Sequence, residues 1–273
     1  MEQFVLLFLC GIIGGFIAGL VGIGGGVVYV VILPIALSKY GIPSEQIAQF
    51  TIANSIFAIF FASASANYML VKHKLFHKNE VMLISVFSII SSVLCLKYIV
   101  NTDWYNYPLF NVIVVILLIF MFYNTLRSAK KVDVLPLDSL KKVNLASVGA
   151  SGGLIASLSG LGGGIVIIPL LNSLMRIDIK KASSISSGVI MLTALFMTLY
   201  NFTEGAPLCN SRFQLGYIVF PVSLSLTAGV LISSPFGVNV SRKLPSYVIS
   251  YIYSVFLLVV IVRKIIEIYI SLA

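Results

Sequence analysis

Ten apolar stretches, several close to 20 residues long, follow one another along a chain of 273 residues with almost no charge inside them. They run at about 4–22, 27–38, 47–70, 79–100, 108–126, 143–160, 165–175, 182–203, 213–235 and 246–268. A helix needs about 20 apolar residues to cross a bilayer core. Only 10% of the residues are charged and 59% are hydrophobic, whereas a soluble domain carries about 25% charge. In water such a chain has too little polar surface to cover itself. The expected class is an all-α polytopic membrane protein, because helices satisfy their own backbone hydrogen bonds in lipid.

The net charge of +9 does not point to nucleic acid. Lys and Arg cluster between the apolar stretches, as they do in inner-side membrane loops, and a basic groove with interleaved aromatics is absent. Cys10, Cys95 and Cys209 lie far apart and form no CxxC pair, so they read as small buried hydrophobes. No basic n-region precedes residues 4–22, which are therefore expected to remain in the mature chain.

The chain repeats itself. Residues 14–26 read GGFIAGLVGIGGG and residues 152–164 read GGLIASLSGLGGG; nine of the thirteen positions are identical, at an offset of 138. Six of the matches are glycines, which argues for duplication rather than chance similarity among apolar residues. The expected organisation is a first repeat over 1–131, a basic loop over 132–142 and a second repeat over 143–273, forming one integral membrane domain. Transporter folds often carry such repeats in inverted orientation.

Charge counting addresses that orientation. If each glycine-interrupted stretch crosses once, 11 of the 18 Lys and Arg fall on one side. If each enters and returns on the same side, 13 of the 18 do: Lys72, Lys74, Lys78, Arg127, Lys130, Lys131, Lys141, Lys142, Arg176, Lys180, Lys181, Arg242 and Lys243. The second arrangement obeys the positive-inside rule better. Each repeat is then a broken, re-entrant hairpin plus three crossings, and an odd number of crossings inverts the second repeat. Loops 72–78, 127–142, 176–181 and 242–243 become the cytoplasmic ones.

Gly24, Gly25 and Gly26, with Gly162, Gly163 and Gly164, interrupt helices at membrane depth. Irregular backbone is tolerated there inside protein or around a watery cavity. Glycine permits a left-handed turn and close approach of a ligand to the main chain. The helices restarting after each run would begin with unbonded amides and positive dipole ends, which together make an anion site. Helix packing through small-xxx-small spacing accounts for Gly15 and Gly19, but poorly for a repeated triple glycine. Neither run is followed by Lys-Ser/Thr, so a Walker loop is excluded.

Thr51, Asn54 and Ser55 share one helical face, and the matching segment of the second repeat carries Ser183, Ser184, Ser186 and Ser187. Such hydroxyls and amides can donate to oxyanions. The candidate substrate-binding set is Gly24, Gly25, Gly26, Thr51, Asn54, Ser55, Gly162, Gly163, Gly164, Ser184, Ser186 and Ser187. Asp, Glu, Lys, Arg and His are missing from the middle of the spans, which argues against a carboxylate proton relay. Glu80, Lys97, Arg263, Lys264 and Glu267 fall toward span ends, where long side chains can reach the interface.

GLVGIGGGVVYVVILP and SLSGLGGGIVIIPLL, one in each half, resemble the paired signature of the sulfite exporter TauE/SafE family. The resemblance covers nearly the whole chain. It implies transport of sulfite, sulfonates or related anions, commonly outward across a bacterial inner membrane. The family often carries an Ala-x-Gly-Thr-Ser-like stretch after each glycine motif. Thr51, after Ala48, and Ser186, after Ala182, match parts of it, while both glycine positions and the second Thr depart.

The expected partners are a small anion and the lipid bilayer, with a homodimer as an assembly option. No nucleic acid, metal or cofactor is expected. The alternative is an anion channel, or a carrier of another small anion such as a carboxylate or sulfate. An intramembrane serine protease would need a base for Ser151 of Gly149-Ala150-Ser151-Gly152. Its only histidine candidates, His73 and His77, lie in a basic loop, and Ser151 duplicates as Ile13, so no enzyme is expected.

Overall fold

Glycine ends the first helix. In the computed structural model, which describes residues 2–102, 104–128, 142–206 and 213–272, α1 spans Glu2–Val21. Gly22 follows with φ +80° while its amide still bonds Ala18 O at 2.8 Å. A left-handed residue at this position stops a helix and turns the chain away. After the break α2 spans Gly26–Ser38. The second half repeats the device: α6 spans Lys142–Ser159, Gly160 takes φ +63°, its amide bonds Ala156 O at 2.9 Å, and α7 starts at Gly164. α7 runs to Pro169 and continues as a π-turn over Leu170–Leu174.

The remaining elements also come in matching order. In the first half they are α3 (Ile47–Lys72), α4 (Lys78–Cys95, continued by a π-turn to Val100) and α5 (Tyr107–Ser128). In the second they are α8 (Ile179–Thr203), a short antiparallel hairpin of β1 (Gln214–Leu215) and β2 (Ile218–Val219), α9 (Phe220–Lys243) and α10 (Ser246–Leu272). Among the described residues, seven helices are long and apolar enough to cross a membrane: α1, α3, α4, α5, α8, α9 and α10. The protein is an integral, polytopic helical membrane protein, with the small β-hairpin as its one departure from all-α among the described residues.

Each interrupted stretch doubles back. Gln3 Nε2 donates to Ala36 O at 3.0 Å, so the start of α1 lies beside the end of α2. Along the hairpin, a Cβ on Gly14 would lie 2.3 Å from the Tyr29 ring. The equivalent contact in the second half is Gly152 with Ile167. Packing between the halves is unchanged when they are exchanged. α1 packs on α9 as α6 packs on α4; α3 packs on α9 as α8 packs on α4; α3 pairs with α8 and α5 with α10.

The α1–α9 seam shows what holds these helices together. Lipid is as apolar as leucine, so close backbone approach and dispersion drive association. A Cβ on Gly11 would sit 2.1 Å from Leu226 O, and one on Gly19 2.1 Å from Ser234 O. From the other side, Gly229 and Gly237 press on Phe8 O and Phe16 O. α3 and α8 are the most enclosed of the long helices and form the centre of the bundle.

Two sequence expectations need correction. The apolar stretch 213–235 is not one helix: its first residues form the hairpin, and α9 runs on past Pro235 to Lys243. Proline lacks the N–H that would bond the carbonyl four residues back; that carbonyl, Leu231 O, accepts from Ser65 Oγ at 3.4 Å instead. Lys264 does not reach the interface. It is fully buried, donates to Asn111 Oδ1 at 2.8 Å and lies over the Tyr107 ring. Ser151 turns its hydroxyl back onto Ser147 O, its own helix. Cys95 is buried and Cys10 half-buried; Cys209 and most of loop 127–142 lie outside the described residues.

Candidate substrate site at the glycine tips

The two breaks meet. A Cβ on Gly26 would lie 2.7 Å from the Leu161 backbone, and one on Gly164 2.9 Å from Ile23 Cα. These are the same contact made twice, once from each half. Gly24 (φ +94°), Gly25 (φ +74°) and Gly162 (φ +80°) take left-handed conformations, whereas Gly163 is right-handed at φ −62°. Side chains touching the tips mark their depth. Gly24 faces Ile59 and Ile190, and Gly162 faces Ile59; these isoleucines stand half-way along α3 and α8. No side chain caps the start of α2 or α7. Val28 N and Val166 N bond back to Gly25 O and Gly163 O at 3.1 Å, which leaves the first two amides of each helix without a carbonyl one turn back, and both positive dipole ends converge on one place.

The predicted polar residues divide into three groups. Ser55 and Ser186 belong to the tips: Ser55 Oγ donates to Gly160 O, and the buried Ser186 hydroxyl, without a partner, would lie 3.0 Å from a Cβ on Gly164. Thr51 is likewise fully buried with no partner for its hydroxyl. Asn54 is committed elsewhere. Its Nδ2 donates to Phe50 O and Tyr217 O, and its Oδ1 accepts from the Val219 amide and Ser223 Oγ. Direct contact with a ligand would require Asn54 to give up these bonds. Ser184 donates to Leu75 O and Ser187 accepts from Asn67 Nδ2 at 3.2 Å; both line a cavity beside the tips rather than the tips themselves.

A family model for the sulfite exporters TauE/SafE matches residues 7–264. The chain belongs to the sulfite exporter TauE/SafE family. It is 29% identical over 246 residues to a probable membrane transporter protein of Methanocaldococcus jannaschii, covering 88% of this chain and 86% of that one. A probable membrane transporter protein of Haemophilus influenzae is 29% identical over 269 residues, covering 96% and 98%. A TauE/SafE family protein of Arabidopsis thaliana is 29% identical over 104 residues, 38% of this chain and 21% of that one.

In this TauE/SafE transporter the two approaches to the tips differ. Gly22 presses on Ser183, whose hydroxyl donates to Val21 O at 2.7 Å; Gly160 presses on Ile52. Ser183 and Ile52 are thus equivalent, an offset of 131 on these helices that also relates Ile190 to Ile59, so Lys180 and Lys181 correspond to Gln49 and Phe50. Likewise Leu226 on Gly11 corresponds to Ile84 on Gly149, which pairs Arg242 with Val100. On the Gly22 side a cavity of about 300 Å³ runs in to Gly22 and Ser183. On the Gly160 side the corresponding residues close on one another. Gln49 Nε2 donates to Val100 O at 3.1 Å and to Tyr105 O at 2.9 Å. Phe50 meets Tyr217 edge to face at 5.2 Å, and the Tyr105 hydroxyl donates to Leu158 O. Burial pushes the Tyr105 phenol above its usual range. Asn54 belongs to this seal.

Sequence reasoning missed Tyr29, Ile59 and Ile190 at the tips, and named Ser183 without placing it in the candidate set. The Tyr29 hydroxyl is buried without a partner, 2.9 Å from where a Gly25 Cβ would be. Comparison of the repeats hides it, because its counterpart is Ile167. The two isoleucines look like any other residue of an apolar span.

Proposed function

We propose that this transporter exports a small sulfur oxyanion or sulfonate, such as sulfite, by alternating access around the paired glycine tips. One observation carries the proposal: two uncapped helix starts, one from each half, abut at mid-depth with the partnerless hydroxyls of Tyr29 and Ser186 beside them. Backbone amides, dipole ends and hydroxyls together favour negative charge without a fixed cation. The halves act as inverted repeats, a reading supported by packing that survives their exchange. Opening then alternates between the Gly22 side and the Gly160 side.

The Gly22 side is the cytoplasmic one. Three of the basic segments, 72–78, 176–181 and 242–243, supply residues to its cavity, as positive-inside loops should. With a negative interior, a monovalent anion leaves downhill by about 2.3 kcal/mol per 100 mV, so no coupling ion is required. In a bacterial host the membrane would be the inner one.

The test is flux in proteoliposomes. Sulfite efflux should saturate and should accelerate with sulfite on the opposite side, and sulfate, taurine, sulfoacetate and carboxylates should compete according to fit. Flux that never saturates and shows no trans-stimulation would make the protein a channel. Absence of flux with every anion would overturn the reading.

A further inference from the structure

We propose that the cavity on the Gly22 side is a second, low-affinity oxyanion site that collects the substrate before it reaches the tips; this rests on the transport reading above. Three chain segments distant in sequence build it. The α3–α4 connection contributes His73 and His77, the first turn of α8 contributes Lys180 and Lys181, and the end of α9 contributes Arg242. Among the described residues that line it there is no carboxylate. Nearby Asp178 is turned onto the first amides of α8, accepting from Lys180 N at 2.9 Å and Lys181 N at 3.3 Å. Ser183, Ser184 and Ser187 line the space together with Gly22 and apolar residues such as Ala66 and Leu70. A volume of about 300 Å³ holds on the order of ten waters, enough for a small oxyanion that keeps part of its hydration.

Basic loop residues are expected on the inner side of any membrane protein, so their presence alone says little. The duplicated half supplies the comparison. At the corresponding positions it has Gln49, Phe50 and Val100, none of them a cation; Gln49 bonds Val100 O and Phe50 packs on Tyr217. This architecture therefore forms without positive charge at those places. The three cations also bend around a concave space ending at the proposed transport site, where low-dielectric walls focus their field. An anion held there is one step from Ser183 and the Gly22 turn.

The test uses the full-length protein. Lys180, Lys181 and Arg242 are exposed, so the combined variant Lys180→Gln, Lys181→Gln, Arg242→Gln leaves the packed core untouched. Equilibrium binding of radiolabelled sulfite to purified wild-type protein should show a weak, salt-sensitive phase that the triple variant lacks. In proteoliposomes the variant's KM from the Gly22 face should rise about fivefold or more at low salt with kcat held, and the difference should vanish near 1 M salt, where the Debye length is about 3 Å. Identical binding curves for the two proteins, or no sulfite binding by either, would overturn the proposal. If the weak phase depends on the three cations but wild-type protein moves no sulfite, the vestibule site stands and the transport reading falls.

Discussion

Adding one methyl group at Gly25 tests the tip geometry most directly. Gly25 has φ +74°, and a Cβ there would lie 2.3 Å from Gly14 O and 2.9 Å from the Tyr29 hydroxyl. The left-handed backbone costs an alanine about 1–2 kcal/mol. The overlap is severe against a usual separation of about 3.5 Å between non-bonded carbons, and overpacking of this kind costs about 1–3 kcal/mol. Relief must come from moving the turn, and with it the first amides of α2. A hydrogen bond to a charged group contributes about 1.5–3 kcal/mol, so misplacing one amide should weaken anion binding about 10- to 100-fold. Gly163→Ala separates the two causes: its φ of −62° carries no conformational penalty, yet its Cβ would sit 2.5 Å from Gly152 O. Gly205→Ala is the control, since nothing lies within 4 Å of its added Cβ. In sulfite efflux from proteoliposomes, with thermal melts in detergent to follow folding, the losses should rank Gly25→Ala, then Gly163→Ala, then Gly205→Ala with none. Gly25→Ala protein that reconstitutes normally and keeps its sulfite KM within about twofold, against the hydrogen-bond magnitude just used, would refute the reasoning.

Two further substitutions distinguish ligand-facing groups from structural ones. Thr51→Val and Ser186→Ala remove buried hydroxyls that bond to nothing in the protein, so melting should shift little or rise slightly; an unchanged sulfite KM would exclude them from binding. Asn54→Ala should do the opposite by stripping partners from the Val219 amide and Tyr217 O. Leaving one such group unsatisfied costs about 1–3 kcal/mol, so amide exchange in the 214–219 hairpin should quicken about tenfold or more, and unaltered exchange would mean that Asn54 does not hold the seal.

Much of the scaffold could be read from residues alone, because the rules that write it are local. Helix breaks at 22–25 and 160–163 follow from glycine's access to left-handed backbone, and the structure places them within a residue or two of the motif. The failures were non-local. Helix α9 continues through Pro235, and Ser65, on another helix, donates to the carbonyl that proline leaves unbonded. Asn54 shares a helical face with Thr51 and Ser55, yet besides Phe50 O its partners are Tyr217, Val219 and Ser223, each more than 160 residues away. Lys264 looked free to extend outward until Asn111 and the Tyr107 ring were found to enclose it.

The amino-acid order by itself determined that this chain lives in a membrane, that it is doubled, and where its helices break; lipid solvation, hydrogen-bond closure and glycine's steric freedom each act within a few residues. Tertiary structure decided that the two tips touch, that a cavity lined with cations lies on the Gly22 side while Gln49, Phe50 and Tyr105 pack closed on the Gly160 side, and which hydroxyls are left without a partner. Those outcomes depend on which faces of distant helices pack together, and the energy that selects them comes from contacts between residues far apart along the chain.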